Sequence, residues 1–271
     1  MKQNQDNTFE VAFLGTNGSC AYNNGTRNRY GTNTLCVAVK AGETTLIFDA
    51  GSGICGFNEL SDFQSRKTHL FFSHYHVDHM NGLLFWNALF NSEKEIEIYG
   101  MDNVHSVIKN IFHEPYQPVR VEDFRAELNF NSLKCGNKII ISNDVTVKCK
   151  SLIHPNGCLG YRVEFGGKSI CYMTDIELAE YENLDEPAEF VKNTNLLIID
   201  CAYQDGKSIK GFGHSTPSEC ARLAVSANIK QLALYHYGFR ETDETIDTLV
   251  ESAKKIFPNS IGSYDGLRIT I

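Results

Sequence analysis

The chain has 271 residues, 42% of them hydrophobic, enough to bury one large core or two small ones. Its formal net charge of −8 disfavours a protein that grips nucleic acid by coating phosphates with lysine and arginine. The first ten residues lack the apolar run of a signal peptide, and no stretch approaches the roughly 18 apolar residues of a membrane span, so a cytoplasmic location is expected.

In chain order, short apolar runs rich in β-branched and aromatic residues predict strands at 9–15, 45–51, 69–74 and 96–100. The stretch near 103–135 holds the only two prolines before residue 150, in HEPYQPVR, and reads as an irregular loop or cap inserted into a single domain of residues 1–271. Further strands are predicted at 145–154, 160–166, 169–175, 196–200, 231–236 and 267–271. Two helices are signalled between the later strands. One follows Thr216, with Pro217 at the first helical position, Glu219 closing a capping box, and Ala221, Leu223 and Ala224 on its apolar face. The other starts near Thr242 and spaces Ile246, Leu249, Val250, Ala253 and Ile256 helically. The order of elements predicts an α/β fold of sheets sandwiched by helices. Nine cysteines, scattered and without a C-x-x-C pair, read as buried free thiols of a reducing compartment and not as a thiolate metal site.

Six of the apolar runs end in a metal-competent or ligand-orienting residue: Asp49, His74, His154, Asp175, Asp200 and His236. Side chains at strand ends stand where loops are free to build sites. The densest segment is His74-Tyr75-His76-Val77-Asp78-His79, with four metal-competent side chains in six residues. One ion cannot use all four, but two adjacent ions can, if His154, Asp175 and His236 complete the set. His69, His105 and His113 are left without a role and read as structural or surface residues. Asp49 and Asp200 are read as partners for the free ring N–H of a ligating histidine, or as turn caps.

The H-x-H-x-D-H signature at His74, His76, Asp78 and His79, followed in order by His154, Asp175 and His236, resembles the metallo-β-lactamase superfamily over about residues 9–271. That resemblance implies an αβ/βα four-layer sandwich with the site at one edge of two facing sheets. It also implies one ion on His74, His76 and His154, a second on Asp78, His79 and His236, and Asp175 bridging. Imidazole and carboxylate donors suit two divalent ions, zinc first, with manganese or iron open.

Within the superfamily, RNRYGTNTLCV at 27–37, FDAGSGI at 48–54, the segment 154–175 and GFGHSTPSECARLA at 211–224 resemble the phosphodiesterase branch, which includes the tRNA 3′-end endonuclease and small cyclic phosphodiesterases. The extra histidine of that branch is matched by His214, two residues before the Thr216 cap, where helix N–H groups favour an oxyanion. His214 and Asp78 are therefore the expected catalytic side chains. His214 would stabilise the pentavalent phosphorane or protonate the leaving alkoxide after attack by a metal-bound hydroxide.

Aspartate at 175, where common zinc β-lactamases carry cysteine, argues against β-lactams. The C-terminal 237–271, one helix and a strand, differs from the helical region of glyoxalase-like thioesterases. Charges in 103–135 balance, so a tRNA-gripping surface is not expected and nucleic acid is not the favoured partner. The expected substrate is a small phosphodiester, cyclic ones included, with Tyr116 and Arg120 lining its pocket. Phe85, Trp86 and Phe90 are expected to form core, and the cap can serve a homodimer. Thioesterase or lactonase activity, tRNA processing, and non-catalytic nucleotide binding remain the alternatives.

Overall fold

The computed structural model describes residues 7–101 and 103–271. Its strands form two seven-stranded sheets packed face to face. The first runs in the order β14 (Arg268–Thr270), β1 (Phe9–Gly15), β2 (Cys36–Ala41), β3 (Thr44–Phe48), β4 (Lys67–Phe71), β5 (Glu95–Met101) and β6 (Glu127–Leu133). The second runs β13 (Ser260–Gly262), β12 (Gln231–Tyr235), β11 (Leu196–Asp200), β10 (Lys168–Met173), β9 (Cys158–Phe165), β8 (Val145–Leu152) and β7 (Lys138–Ile140). Each sheet is antiparallel in one half and parallel in the other. The parallel halves are β3 to β6 and β10 to β13.

Alternation along the strands sorts side chains into layers. Val11, Phe13, Val37, Leu46, Phe48 and Phe71 of the first sheet meet Val147, Tyr161, Val163, Tyr172, Ile198 and Tyr235 of the second in the central core. The outward face of the second sheet, with Leu197, Ile199 and Leu234, is covered by α3 (Pro217–Ser226) and α4 (Asp243–Lys254), and by Val191 of α2 (Asp185–Val191). The outward face of the first sheet lies under the 3-10 turns of residues 52–63 and 83–90 and α1 (Val104–Ile111). This is the four-layer αβ/βα sandwich. No helix among the described residues is long and apolar enough to cross a membrane.

Local chemistry explains both predicted helices. Thr216 N–H donates to Glu219 Oε2 (2.8 Å) at the start of α3, and Thr245 N–H donates to Thr242 Oγ1 (3.2 Å) at the start of α4. Ile246, Leu249, Val250 and Ala253 are buried as the spacing required, with Ile256 packed beside them.

Several expectations are corrected. The stretch 103–135 is regular over nearly half its length: α1, capped by Asn103 Oδ1 on the Ser106 N–H (3.1 Å), and edge strand β6, paired in parallel with β5. Between them the chain is irregular around Pro115 and Pro118 and then makes a 3-10 turn at Val121–Asp123. Of the cysteines, Cys20, Cys55 and Cys135 are exposed; the other six are buried free thiols. Phe85 and Phe90 are exposed on 3-10 turns, leaving Trp86 alone of the three in the core, edge-on to Phe57 at 6.0 Å. Among the described residues the Trp86 indole N–H has no hydrogen-bond partner, so packing must outweigh the cost of burying a free donor. Trp86→Ala is expected to lower stability by about 3–5 kcal/mol and Trp86→Phe by clearly less, checked by urea denaturation followed by circular dichroism.

Candidate functional site

The polar residues at strand ends converge on one edge of the sandwich, beyond the carboxyl ends of the parallel strands. Except for Asp200, the last residue of β11, every such residue lies beyond the end of its strand. β3 ends at Phe48 and Asp49 follows; β4 ends at Phe71, three residues before His74; β8 ends two before His154; β12 ends one before His236. The cause is visible in the backbone at three positions. Asp49 (φ 58°), Asp175 (φ 54°) and His236 (φ 57°) lie in the left-handed region, which ends the ladder and turns the side chain out of the strand's alternation. Such conformations cost of order 1–3 kcal/mol each and persist where surrounding contacts impose them.

His74, His76 and His154 form one cluster. His74 Nε2 stands 2.8 Å, and His154 Nε2 3.3 Å, from His76 Nδ1. Asp78, His79 and His236 form another, with Asp78 Oδ2 3.7 Å from His79 Nε2 and 3.6 Å from His236 Nε2. Asp175 lies between them: Oδ1 is 3.6 Å from His154 Nε2 and 3.3 Å from His236 Nε2, while Oδ2 is 3.2 Å from His79 Nε2. Both groupings present enough donor atoms, closely enough spaced, to hold a cation.

The fit to cations is supported by what the side chains lack. Among the described residues His79 Nε2 and His236 Nε2 are buried without a well-aligned hydrogen bond, although Asp175 oxygens stand 3.2 and 3.3 Å away, and the partners of Asp78 and Asp175 include no lysine or arginine. Burial pushes the His74 and His154 imidazoles below the ordinary histidine range, leaving a neutral ring with a free lone pair. For Asp78 and Asp175 burial alone would raise the pKa, but the facing histidines, His236 foremost, hold both carboxylates below the usual range. Burial likewise opposes the charging of His236, yet Asp175 and Asp200 outweigh it and push it up to about 9. A potential that draws a proton to this imidazole equally draws a metal ion.

The surroundings fix the rings. Asp49, fully buried, accepts the Ser73 N–H (2.7 Å) on Oδ1, and the His79 Nδ1–H (2.8 Å), Ser73 hydroxyl (2.8 Å) and Tyr172 hydroxyl (2.7 Å) on Oδ2. Asp200 Oδ2 accepts the Nδ1–H of His214 (2.7 Å) and lies 3.3 Å from His236 Nδ1. The Gly213 carbonyl accepts the His154 Nδ1–H (3.0 Å), and Ser73 Oγ sits 3.1 Å from His74 Nδ1. With Nδ1 engaged, each of these rings offers Nε2 inward. The structure thus places Asp49 and Asp200 as orienting groups, not as turn caps alone.

His214 stacks on His236 with ring centroids 4.8 Å apart and meets His154 edge-on at 5.5 Å. Burial, which would lower its pKa, is outweighed by Asp200, so the ring holds its proton more firmly than a free imidazole. Three residues unremarked in the sequence contribute. The Ser19 N–H donates to Asp78 Oδ2 (2.7 Å), Tyr161 ties the sheets through its hydroxyl to the Phe72 carbonyl (2.6 Å), and Glu177 accepts the N–H groups of Gly211 and Gly213. None of the three is signalled by its neighbours in sequence, since their partners lie 34 or more residues away. His69, buried against Tyr99, and the exposed His113 stand as structural and surface residues, and His105 packs on Phe130.

A cavity of about 220 Å³ opens beside the histidine loop, lined by Tyr75, Val77, Met80, Leu84, Phe112 and Gln117 among others. Tyr116 and Arg120 do not line it: Tyr116 projects outward, and Arg120 faces Glu114 at 3.6 Å.

Comparison with known proteins agrees with the geometry. The model of the beta-lactamase superfamily domain matches residues 44–237. The ribonuclease Z of Prochlorococcus marinus (strain MIT 9215) is 25% identical, over 97% of this chain and all of that protein. Among solved structures, the short form of human tRNase Z superposes with a TM-score of 0.73 at 21% identity, covering 97% of this chain and 99% of that one. A diphosphatase of the PhnP family gives 0.71 at 16% identity, covering 97% and 98%. By its matched domain, its four-layer fold and its clustered donors, the chain belongs to the beta-lactamase superfamily and is a metal-dependent hydrolase.

Proposed function

We propose that this protein is a two-metal phosphodiesterase acting on small phosphodiesters, cyclic ones included. His74 Nε2, His76 Nδ1 and His154 Nε2 would hold one ion, Asp78, His79 and His236 the other, with Asp175 shared. Two divalent ions so held, zinc before manganese or iron, supply Lewis acidity and acidify water to near neutrality.

The observation that carries the phosphodiester reading is the His214–Asp200 pair. Asp200 accepts the Nδ1–H at 2.7 Å, which leaves Nε2, unpartnered among the described residues, as the working end of the ring beside both clusters. From there His214 donates to a non-bridging phosphoryl oxygen or delivers a proton to the departing alkoxide. Asp49, through His79, keeps the second cluster's ring in one tautomer. Asp49→Asn places an amide NH2 or a single carbonyl oxygen where four donors now converge. Its zinc affinity is expected to fall about 10–100-fold, read by competition with a chromophoric chelator.

Small substrates are favoured by the pairing of charges in the 103–135 stretch, where Lys109 meets Glu122 at 2.7 Å and Arg120 faces Glu114. The relatives named ribonuclease Z support a second reading, cleavage of precursor tRNA at the same site. One panel decides. Bis(p-nitrophenyl) phosphate, 2′,3′- and 3′,5′-cyclic nucleotides, cyclic ribose phosphates, precursor tRNA and S-lactoylglutathione are compared with zinc or manganese added. A cyclic or small diester should lead by kcat/KM; precursor tRNA leading would establish the second reading, and the thioester leading would overturn both.

A further inference from the structure

Segments 176–178 and 211–215 are laced together between the two candidate histidines. The Glu177 carboxylate, only 4% exposed, accepts the Gly211 N–H on Oε1 (2.8 Å) and the Gly213 N–H on Oε2 (2.7 Å). Ser215 Oγ donates to the Ile176 carbonyl (2.5 Å) and accepts the Leu178 N–H (3.1 Å). The N–H of Glu177 itself donates to the carbonyl of Ile153 (3.0 Å), the residue before His154.

The turn so gripped has little freedom to be anything else. Gly211 and Gly213 have φ of 80° and 84°, and a Cβ on Gly213 would stand 2.0 Å from His154 Nδ1. Gly213 then does two things at once: its carbonyl accepts the His154 Nδ1–H at 3.0 Å, and its chain continues directly into His214. Glu177 forms no ion pair with a lysine or arginine among the described residues, so its burial is compensated by two backbone N–H groups. A buried carboxylate held this way is costly wherever a neutral acceptor would serve. No neutral side chain of this length offers two acceptor oxygens: glutamine would turn an NH2 toward one of the two N–H groups.

We propose that Glu177 is a positioning residue, whose carboxylate fixes the 211–213 turn and thereby sets the His154 ring and the His214 ring together. Its effect on turnover rests on the phosphodiesterase reading above; its effect on metal affinity and on the turn does not.

The test compares Glu177→Gln and Glu177→Asp, each in the natural chain and in a His214→Ala background. It reads kcat and KM on bis(p-nitrophenyl) phosphate at saturating zinc, zinc affinity by chelator competition, and hydrogen exchange of the Gly211 and Gly213 amides. Glu177→Gln should lower kcat about 10–100-fold with KM within about threefold, weaken zinc binding in both backgrounds, and speed exchange at the two glycines. In the His214→Ala background the kcat loss should shrink to less than about threefold, because residues acting through one another are not additive. Glu177→Asp, which keeps two carboxylate oxygens, should recover part of each loss, and carries the same comparison should the glutamine variant not fold. A wild-type kcat at saturating zinc, or an undiminished loss in the His214→Ala background, overturns the positioning of His214. If the natural chain cleaves no phosphodiester, the phosphodiesterase reading fails, while unchanged zinc affinity and unchanged exchange would separately overturn the clamp.

Discussion

Asp175→Ala is expected to bring zinc content below two per folded chain and to lower phosphodiester turnover by roughly 10³-fold or more, the equivalent of several kcal/mol of Lewis-acid stabilisation. The expectation follows from position. Among the described residues Asp175 is the one carboxylate within 4 Å of His74, His79, His154 and His236 together. Removing it leaves four imidazoles facing one another without the charge that organises them. Asp175→Asn keeps one oxygen and the shape but not the charge, so its zinc content should lie between alanine and the natural residue. Metal analysis of the purified variants by mass spectrometry checks both. Two zinc ions per chain with full turnover in the alanine variant would remove Asp175 from the shared position.

His214→Ala should retain both ions and lose about 10²–10⁴-fold in kcat on substrates with alkoxide leaving groups, with KM little changed. The pattern of loss separates two roles. A proton donor matters in proportion to the basicity of the leaving oxygen, so a p-nitrophenolate ester should suffer much less than a cyclic nucleotide. A donor to the phosphoryl oxygens matters equally for both. Asp200→Asn, which disturbs the Nδ1 partner, should follow the same pattern at smaller size, because the ring stays but is held less firmly. Equal turnover of His214→Ala and the natural chain on the cyclic substrate would exclude either role.

How much of this was readable without coordinates differs from residue to residue. The histidine loop was legible because four donors in six residues after an apolar run have few structural uses. His154, Asp175 and His236 were legible as polar ends of apolar runs, although the strands proved to stop short of them; for Asp175 and His236 the reason is a left-handed backbone, which is not visible in composition. Helices α3 and α4 announced themselves through capping chemistry. By contrast β2 is an ordinary short run, α1 is eight residues long, and α1 and β6 flank a proline-bearing loop whose breakers spread their signal over both neighbours. Glu177 was invisible for a different reason. Its partners lie 34 and 36 residues away, and nothing in a glutamate's neighbours along the chain says which backbone it will meet. Tyr116 and Arg120 were drawn to the pocket by chemistry alone, and the fold turns them to solvent.

The arrangement of the two sheets has a mechanical side. His74, His76, Asp78 and His79 follow a strand of one sheet, whereas His154, Asp175 and His236 follow strands of the other, so every grouping of donors except that of Asp175, Asp200, His214 and His236 draws on both. Ions gripped from both sides act as rivets across the seam. Each tenfold excess of free ion over its dissociation constant then adds about 1.4 kcal/mol against separation of the halves. The metal-binding edge of the sandwich would thereby be its fastened edge, and the opposite rim, where Lys168 Nζ donates to the Ile271 carbonyl across the sheets, the one that opens first.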